Sequence, residues 1–165
     1  MQVVQRVKFV VVLLALSAGA ALAQTPARAP GRSAGQQLYL PIYSHIWHGD
    51  ADGKGQPTRT LVSVSVSIRN TDPANSIRIL SAQYYDTDGK RLREYVPAPK
   101  PIGPMGTFEL FIPRSDDTGG SGANFVIVWK SDTPASPPIV EGLHAYLVSG
   151  RSIAFLTSAQ AIPAE

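Results

Sequence analysis

The chain has 165 residues, no cysteine, and a formal net charge of +3 from 15 Lys and Arg against 12 Asp and Glu. The missing cysteine excludes disulfides and thiolate metal sites, so stability has to come from burial of apolar side chains. Nor does the charge point to nucleic acid: Arg6 and Lys8 fall in a leader, thirteen basic residues then face twelve acidic ones, and no cluster is denser than Lys90-Arg91-Leu92-Arg93.

Residues 1–23 read as a secretory signal peptide. Arg6 and Lys8 precede an apolar run from Phe9 to Leu16, and Ala21-Leu22-Ala23 forms an A-x-A cleavage site before Gln24. The run is shorter than the roughly 20 residues that a membrane-spanning helix needs. The expected product is therefore periplasmic or secreted, with no membrane span after cleavage. Residues 24–37, Q-T-P-A-R-A-P-G-R-S-A-G-Q-Q, carry no apolar side chain larger than Ala. Such a stretch cannot offset its ordering entropy by burial, and a flexible tether is expected. A single domain is expected over 38–162, with 163–165 as a tail.

Within that domain the clearest periodicity runs from Thr60 to Arg69, where Val62, Val64, Val66 and Ile68 alternate with Ser63, Ser65, Ser67 and Arg69. Period two predicts a strand with one apolar and one wet face. Further strands are predicted over Leu38 to Ile46, Ile77 to Tyr85, Arg91 to Val96, Phe108 to Ile112, Phe125 to Lys130, Ile139 to Val148 and Ile153 to Thr157. Asp86-Thr87-Asp88-Gly89-Lys90 predicts a hairpin, with Gly89 supplying positive φ. No helical spacing is visible in the mature chain, and 14 Pro with 14 Gly work against helices. The fold class is all-β: a two-sheet antiparallel immunoglobulin-like sandwich of seven or eight strands, with a small β-barrel as the alternative. Trp129 shares a face with Phe125 and Ile127, which makes it a core aromatic of a central strand.

Polar clusters interrupt this pattern. In Tyr43-Ser44-His45-Ile46-Trp47-His48-Gly49-Asp50, the side chains of His45, His48 and Asp50 are chemically suited to a divalent metal. Such a site requires the strand to end between the two histidines, and a further ligand such as His144 or Asp86. Asp86-x-Asp88-Gly89 resembles the start of a calcium loop, but Pro97 and Arg91 stand where Glu and Gly are required, and an Asx-supported turn accounts for it better. Asp117-Thr118-Gly119 occurs only once, whereas an aspartic protease takes two such motifs. Ser121 is no nucleophile elbow, because Ala123 occupies the required glycine position. The glycines there could instead form a tight loop or present N–H groups to an anion.

Read together, Tyr43-Ser44-His45-Ile46-x-His48-Gly49-Asp50, Ser67-Ile68-Arg69-Asn70-Thr71-Asp72, Tyr84-Tyr85-Asp86-Thr87-Asp88-Gly89-Lys90 and Gly119-Gly120-Ser121-Gly122-Ala123-Asn124-Phe125 resemble a bacterial family, domain of unknown function 3124. The resemblance spans about Leu38 to Ile162 and implies an exported or lipid-anchored bacterial protein with no assigned activity. It brings no catalytic residues. This chain departs from the lipid-anchored members in having no cysteine after its leader.

Two functions follow as expectations. One is a non-catalytic binding module of the envelope, contacting a protein or small ligand through loops that carry Asp86, Asp88, Asp117, Ser121 and Asn124, with no cofactor. The other is a metal carrier or small metal-dependent hydrolase built on His45, His48 and Asp50. The first requires the loops around His48, Asp88 and Ser121 to gather at one end of the sandwich.

Overall fold

A computed structural model describes residues 31–163, so the expected leader, residues 24–30 of the expected tether, and Ala164 and Glu165 lie outside the described residues. Among the described residues there are twelve strands: β1 (Ser33–Pro41), β2 (His45–His48), β3 (Thr58–Leu61), β4 (Ser63–Arg69), β5 (Ile77–Tyr85), β6 (Arg91–Glu94), β7 (Lys100–Ile102), β8 (Thr107–Ile112), β9 (Asn124–Ala135), β10 (Ile139–Val148), β11 (Arg151–Ser158) and β12 (Gln160–Ile162). One sheet runs β12-β1-β9-β5-β6, with β7 also paired to β5; the second runs β11-β10-β4-β8; β2 and β3 form a separate ribbon. Every pairing is antiparallel. The sheets do not close into a barrel.

One apolar core joins the two sheets. Leu38, Leu40, Phe125, Ile127, Trp129, Ile77, Ile79 and Tyr84 come from the first, and Val64, Val66, Ile68, Leu110, Ile112 and Val140 from the second. The alternation in β4 works as the sequence predicts: its valines and Ile68 are fully buried, while Ser63, Ser65 and Ser67 stay half-buried on the outer face. Trp129 is fully buried between the sheets. In β5 the alternation changes phase, because a bulge between Ile79 and Ser81 inserts Leu80. Ile77 and Ile79 point inward before it, and Ala82 and Tyr84 after it.

Several strand boundaries differ from expectation. β1 starts at Ser33 rather than near Leu38, since Gly35, Gln36 and Gln37 pair with Lys130, Trp129 and Val128. Backbone pairing on a central strand orders these residues without any apolar side chain. The expected strand from Leu38 to Ile46 is two strands. It breaks after Pro41, where Ile42 N–H donates to the Ala123 carbonyl (2.8 Å) and Ser44 N–H to that of Gly120 (2.9 Å). Lys100–Ile102, outside every predicted strand, forms β7 against Ile77–Ile79.

The end of the sandwich that holds the β4–β5 connection is pinned by two buried polar residues. Asn70 Nδ2 donates to the carbonyls of Asn75 (2.9 Å), Gly103 (2.9 Å) and Ile102 (3.2 Å), and its Oδ1 accepts from Asp72 N–H (3.0 Å). The Asp72 carboxylate accepts from the backbone N–H groups of Ala74, Asn75 and Ser136, each at 2.9 Å, and pairs with Arg32 at 2.9 Å. Hydrogen bonds from Ser136 and then Ala74 hold its pKa far below the usual carboxylate range.

Two predictions follow from this packing. At Gly35 a Cβ would stand 2.6 Å from the Trp129 carbonyl oxygen and 2.9 Å from Lys130 Cγ, and the first of these is backbone that cannot swing away. Gly35→Ala should cost about 1–3 kcal/mol in urea unfolding. Gly53→Ala, where a Cβ meets nothing within 4 Å, should stay within about 0.5 kcal/mol. For Asp72 the folded pKa is depressed, so the unfolded state takes up the proton first as pH falls. Its contribution is complete above about pH 5 and is lost progressively as pH falls from about 4 toward the depressed folded value. Asp72→Asn should therefore lower the thermal midpoint at pH 7, with the gap to wild type shrinking at pH 3. An equal gap at both pH values would contradict the assignment.

Candidate functional site

The opposite end of the sandwich carries the β1–β2 connection, the β2–β3 ribbon, the β5–β6 hairpin, the β8–β9 loop and the β10–β11 turn. Hydrogen bonds tie the first four together. Thr87, in the hairpin, donates its backbone N–H to the Gly119 carbonyl (2.9 Å). Its hydroxyl donates to the same carbonyl (3.1 Å) and accepts from Gly122 N–H (3.0 Å). The loop also takes the N–H groups of Ile42 and Ser44, as described above, and Val62 N–H donates to the Ser44 carbonyl (3.1 Å). The loops around His48, Asp88 and Ser121 therefore do gather at one end.

Glycine is required where the loop meets the hairpin. A Cβ on Gly119 would lie 2.0 Å from the Tyr84 hydroxyl, and one on Gly120, whose φ is +78°, would lie 2.4 Å from Thr87 Oγ1. These glycines serve close approach rather than an anion nest: Gly120 N–H donates to the Asp117 carbonyl (3.2 Å) and Gly122 N–H to Thr87. Beneath them the buried Tyr84 hydroxyl shares a hydrogen bond with Ser44 Oγ (3.0 Å), and burial pushes the Tyr84 pKa up.

The expected site residues are separated in role. Asp86 Oδ1 accepts from the N–H groups of Asp88 (3.0 Å) and Lys90 (2.8 Å), the Asx-supported turn expected from sequence, with Gly89 at φ +79°. Asp88 is exposed. Asp117 pairs with Arg59 of β3 at 2.5 Å. Ser121 is partly exposed, and Asn124 belongs to β9, between Pro41 and Tyr85, rather than to the loop.

The histidines are spent one by one. β2 continues through both His45 and His48, so strand alternation turns them to opposite faces of the ribbon. His45 is buried edge-on against Trp47, whereas His48 is exposed and its Nε2 lies 2.8 Å from Thr60 Oγ1. Asp50 sits exposed in the connection beyond β2. His144 is fully buried: its Nε2 accepts from Tyr43 N–H (3.0 Å), so Nδ1 carries the proton and donates to the Gly142 carbonyl (3.1 Å). Burial lowers its pKa, which favours the neutral ring that the acceptor role needs. Among the described residues no three His, Asp or Glu side chains are grouped closely enough to hold a metal ion. The expected ligand set of His45, His48 and Asp50 is thus not assembled in this structure.

His45 differs from the others in that both of its buried ring nitrogens lack hydrogen-bond partners. Burial, and then the Arg59 charge, lower its pKa, while Asp117 opposes them. The side chains that sequence reasoning passed over are Thr87, Arg59, Arg114 and Tyr146. They are scattered between positions 59 and 146 and form no local motif, and only the register of the strands brings them to this end.

Among curated proteins none matches this chain. Among solved structures, the crystal structure of Thermotoga maritima 1070 is similar at 12% identity, over 76% of this chain and 92% of that one, with a TM-score of 0.42. The motifs through Asn70-Thr71-Asp72, Asp86 to Gly89 and Gly119 to Gly122 all lie within residues 35–162, the span matched by a family model, and the chain belongs to the family described as Protein of unknown function (DUF3124).

Proposed function

We propose that the protein is an exported, non-catalytic binding module of the bacterial envelope that contacts its partner through the end built from the β2–β3 ribbon, the Asp86 hairpin and the Gly119 loop. The observation that carries this reading is the cross-bonding of those loops through Thr87, Ser44 and Ile42. Loops tied to one another lose little freedom on binding, so less of the contact energy goes into ordering them. Trp47, 48% exposed at the tip of the ribbon, adds a large amphipathic side chain of the kind that anchors interfaces. Support for a non-catalytic role comes from the histidines: one holds a backbone N–H, one meets a threonine on the surface, and one is enclosed. Export rests on the leader, with its A-x-A site before Gln24.

Photo-crosslinking in a bacterial host tests both parts. The full chain would carry a photoreactive amino acid at Trp47, Asp88 or Ser121, or at the opposite-end positions Pro73 and Met105. The expected result is one discrete adduct shared by the first three positions and absent from the last two, on a protein whose mature form begins at Gln24. Adducts from the Pro73 and Met105 positions alone would overturn the assignment of the surface, and a product retaining Met1 would overturn export.

A further inference from the structure

We propose that a groove at this same end binds an organic oxyanion, a carboxylate or phosphate carried on an apolar body. The inference deepens the reading above and rests on it, since it names the chemistry that the loop end would recognise. A cavity of about 340 Å³ is lined by Arg59, Thr60 and Leu61 of β3, by Arg114 and Ser115 at the start of the β8–β9 loop, and by Tyr146 of β10. That volume lies in the range of small-ligand sites. A second hollow of about 320 Å³ shares Arg114 and Tyr146 with it and continues over Leu147 and Val148. The two form one groove, lined by Arg59 and Arg114 in one part and apolar along Leu147, which is 72% exposed.

The guanidinium groups differ in how they are engaged. Arg59 gives one nitrogen to Asp117. Arg114 makes no ion pair among the described residues; its guanidinium carbon lies 5.4 Å from the centroid of the Tyr146 ring. A cation held over an aromatic face is positioned without spending its N–H donors. Neither neighbouring acid is within ion-pair distance of it. Asp117 is taken by Arg59, and Asp116 Oδ1 accepts the Thr118 hydroxyl at 2.6 Å. Arg114 thus presents a planar fork of donors beside the Ser115 hydroxyl, a match to a carboxylate or phosphate edge. An apolar body attached to that anion would lie along Tyr146 and Leu147.

The test is an amide chemical-shift titration of the mature protein with phenyl phosphate and phenylacetate as probes and 2-phenylethanol as the neutral control. Saturable shifts at Arg59, Ser115 and Tyr146 are expected with at least one anion and not with the alcohol. Arg114→Gln should weaken binding about tenfold or more, and Arg114→Lys should fall between, because it keeps the charge and loses the fork. Arg78→Gln, which removes an exposed ion pair with Asp132 on the other sheet, should leave binding unchanged. Co-sedimentation with phosphatidylglycerol vesicles, against phosphatidylcholine vesicles, separates the sources. Binding that depends on Arg114 and appears only with the anionic vesicles points to a lipid headgroup; binding of the soluble probes alone points to a free ligand; both outcomes support the proposal. Equal shifts with 2-phenylethanol, or no Arg114-dependent binding in either format, would overturn it. Crosslinks from Trp47 without Arg114-dependent anion binding would leave the contact surface standing and remove this ligand.

Discussion

Close approach of the Gly119–Gly122 loop to Tyr84 and Thr87 is the constraint on which the described end of the molecule depends. A Cβ at Gly119 would overlap the Tyr84 hydroxyl, and Gly120 combines a left-handed backbone with contact on Thr87. Because the loop can settle there, its carbonyls are free to accept the N–H groups of Ile42, Ser44 and Thr87. The chain after Pro41 is thereby drawn off the first sheet, and the β2–β3 ribbon projects as a separate unit. One close contact thus fixes the hairpin, the loop and the entry to the ribbon. A bulky side chain at either glycine would release all three.

The two ends of the sandwich solve the same problem with different chemistry. Loops that leave a buried core carry backbone donors and acceptors that need partners. At one end a carboxylate and an amide, Asp72 and Asn70, collect those groups from three connections. At the other end a hydroxyl, a buried imidazole and glycine backbone do so, through Thr87, His144 and Gly119 to Gly122. The first arrangement is closed around an ionised group. The second leaves Trp47, Arg114 and the apolar shoulder of Leu147 facing outward.

The two-sheet architecture was legible because the strands obey period two. Val62 to Ile68 and Phe125 to Trp129 alternate without interruption, and their buried faces agree with the pattern. The phase change in β5 was not legible, since Leu80 is apolar and nothing local marks it as the extra residue of a bulge. The start of β1 was missed for the opposite reason: Gly35 to Gln37 lack apolar side chains and are ordered by backbone pairing, with β9 throughout and with β12 at Gln37. The Asp86 turn could be read because an Asx turn is local chemistry. The role of Thr87 could not, because its partners lie more than 30 positions away. His45 and His48 looked like a ligand pair only while the end of their strand was unknown, and β2 runs through both.

Native-state hydrogen exchange tests the central claim most directly. If the loop lock holds the end together, the amides of Ser44, Thr87 and Gly122 should exchange with protection close to that of the β4 and β9 core. Thr87→Val, which keeps the shape and removes the hydroxyl, should expose Gly122 first while β4 and β9 stay protected. Exchange of all three amides in the unaltered protein at the rate of an unstructured chain would contradict the account.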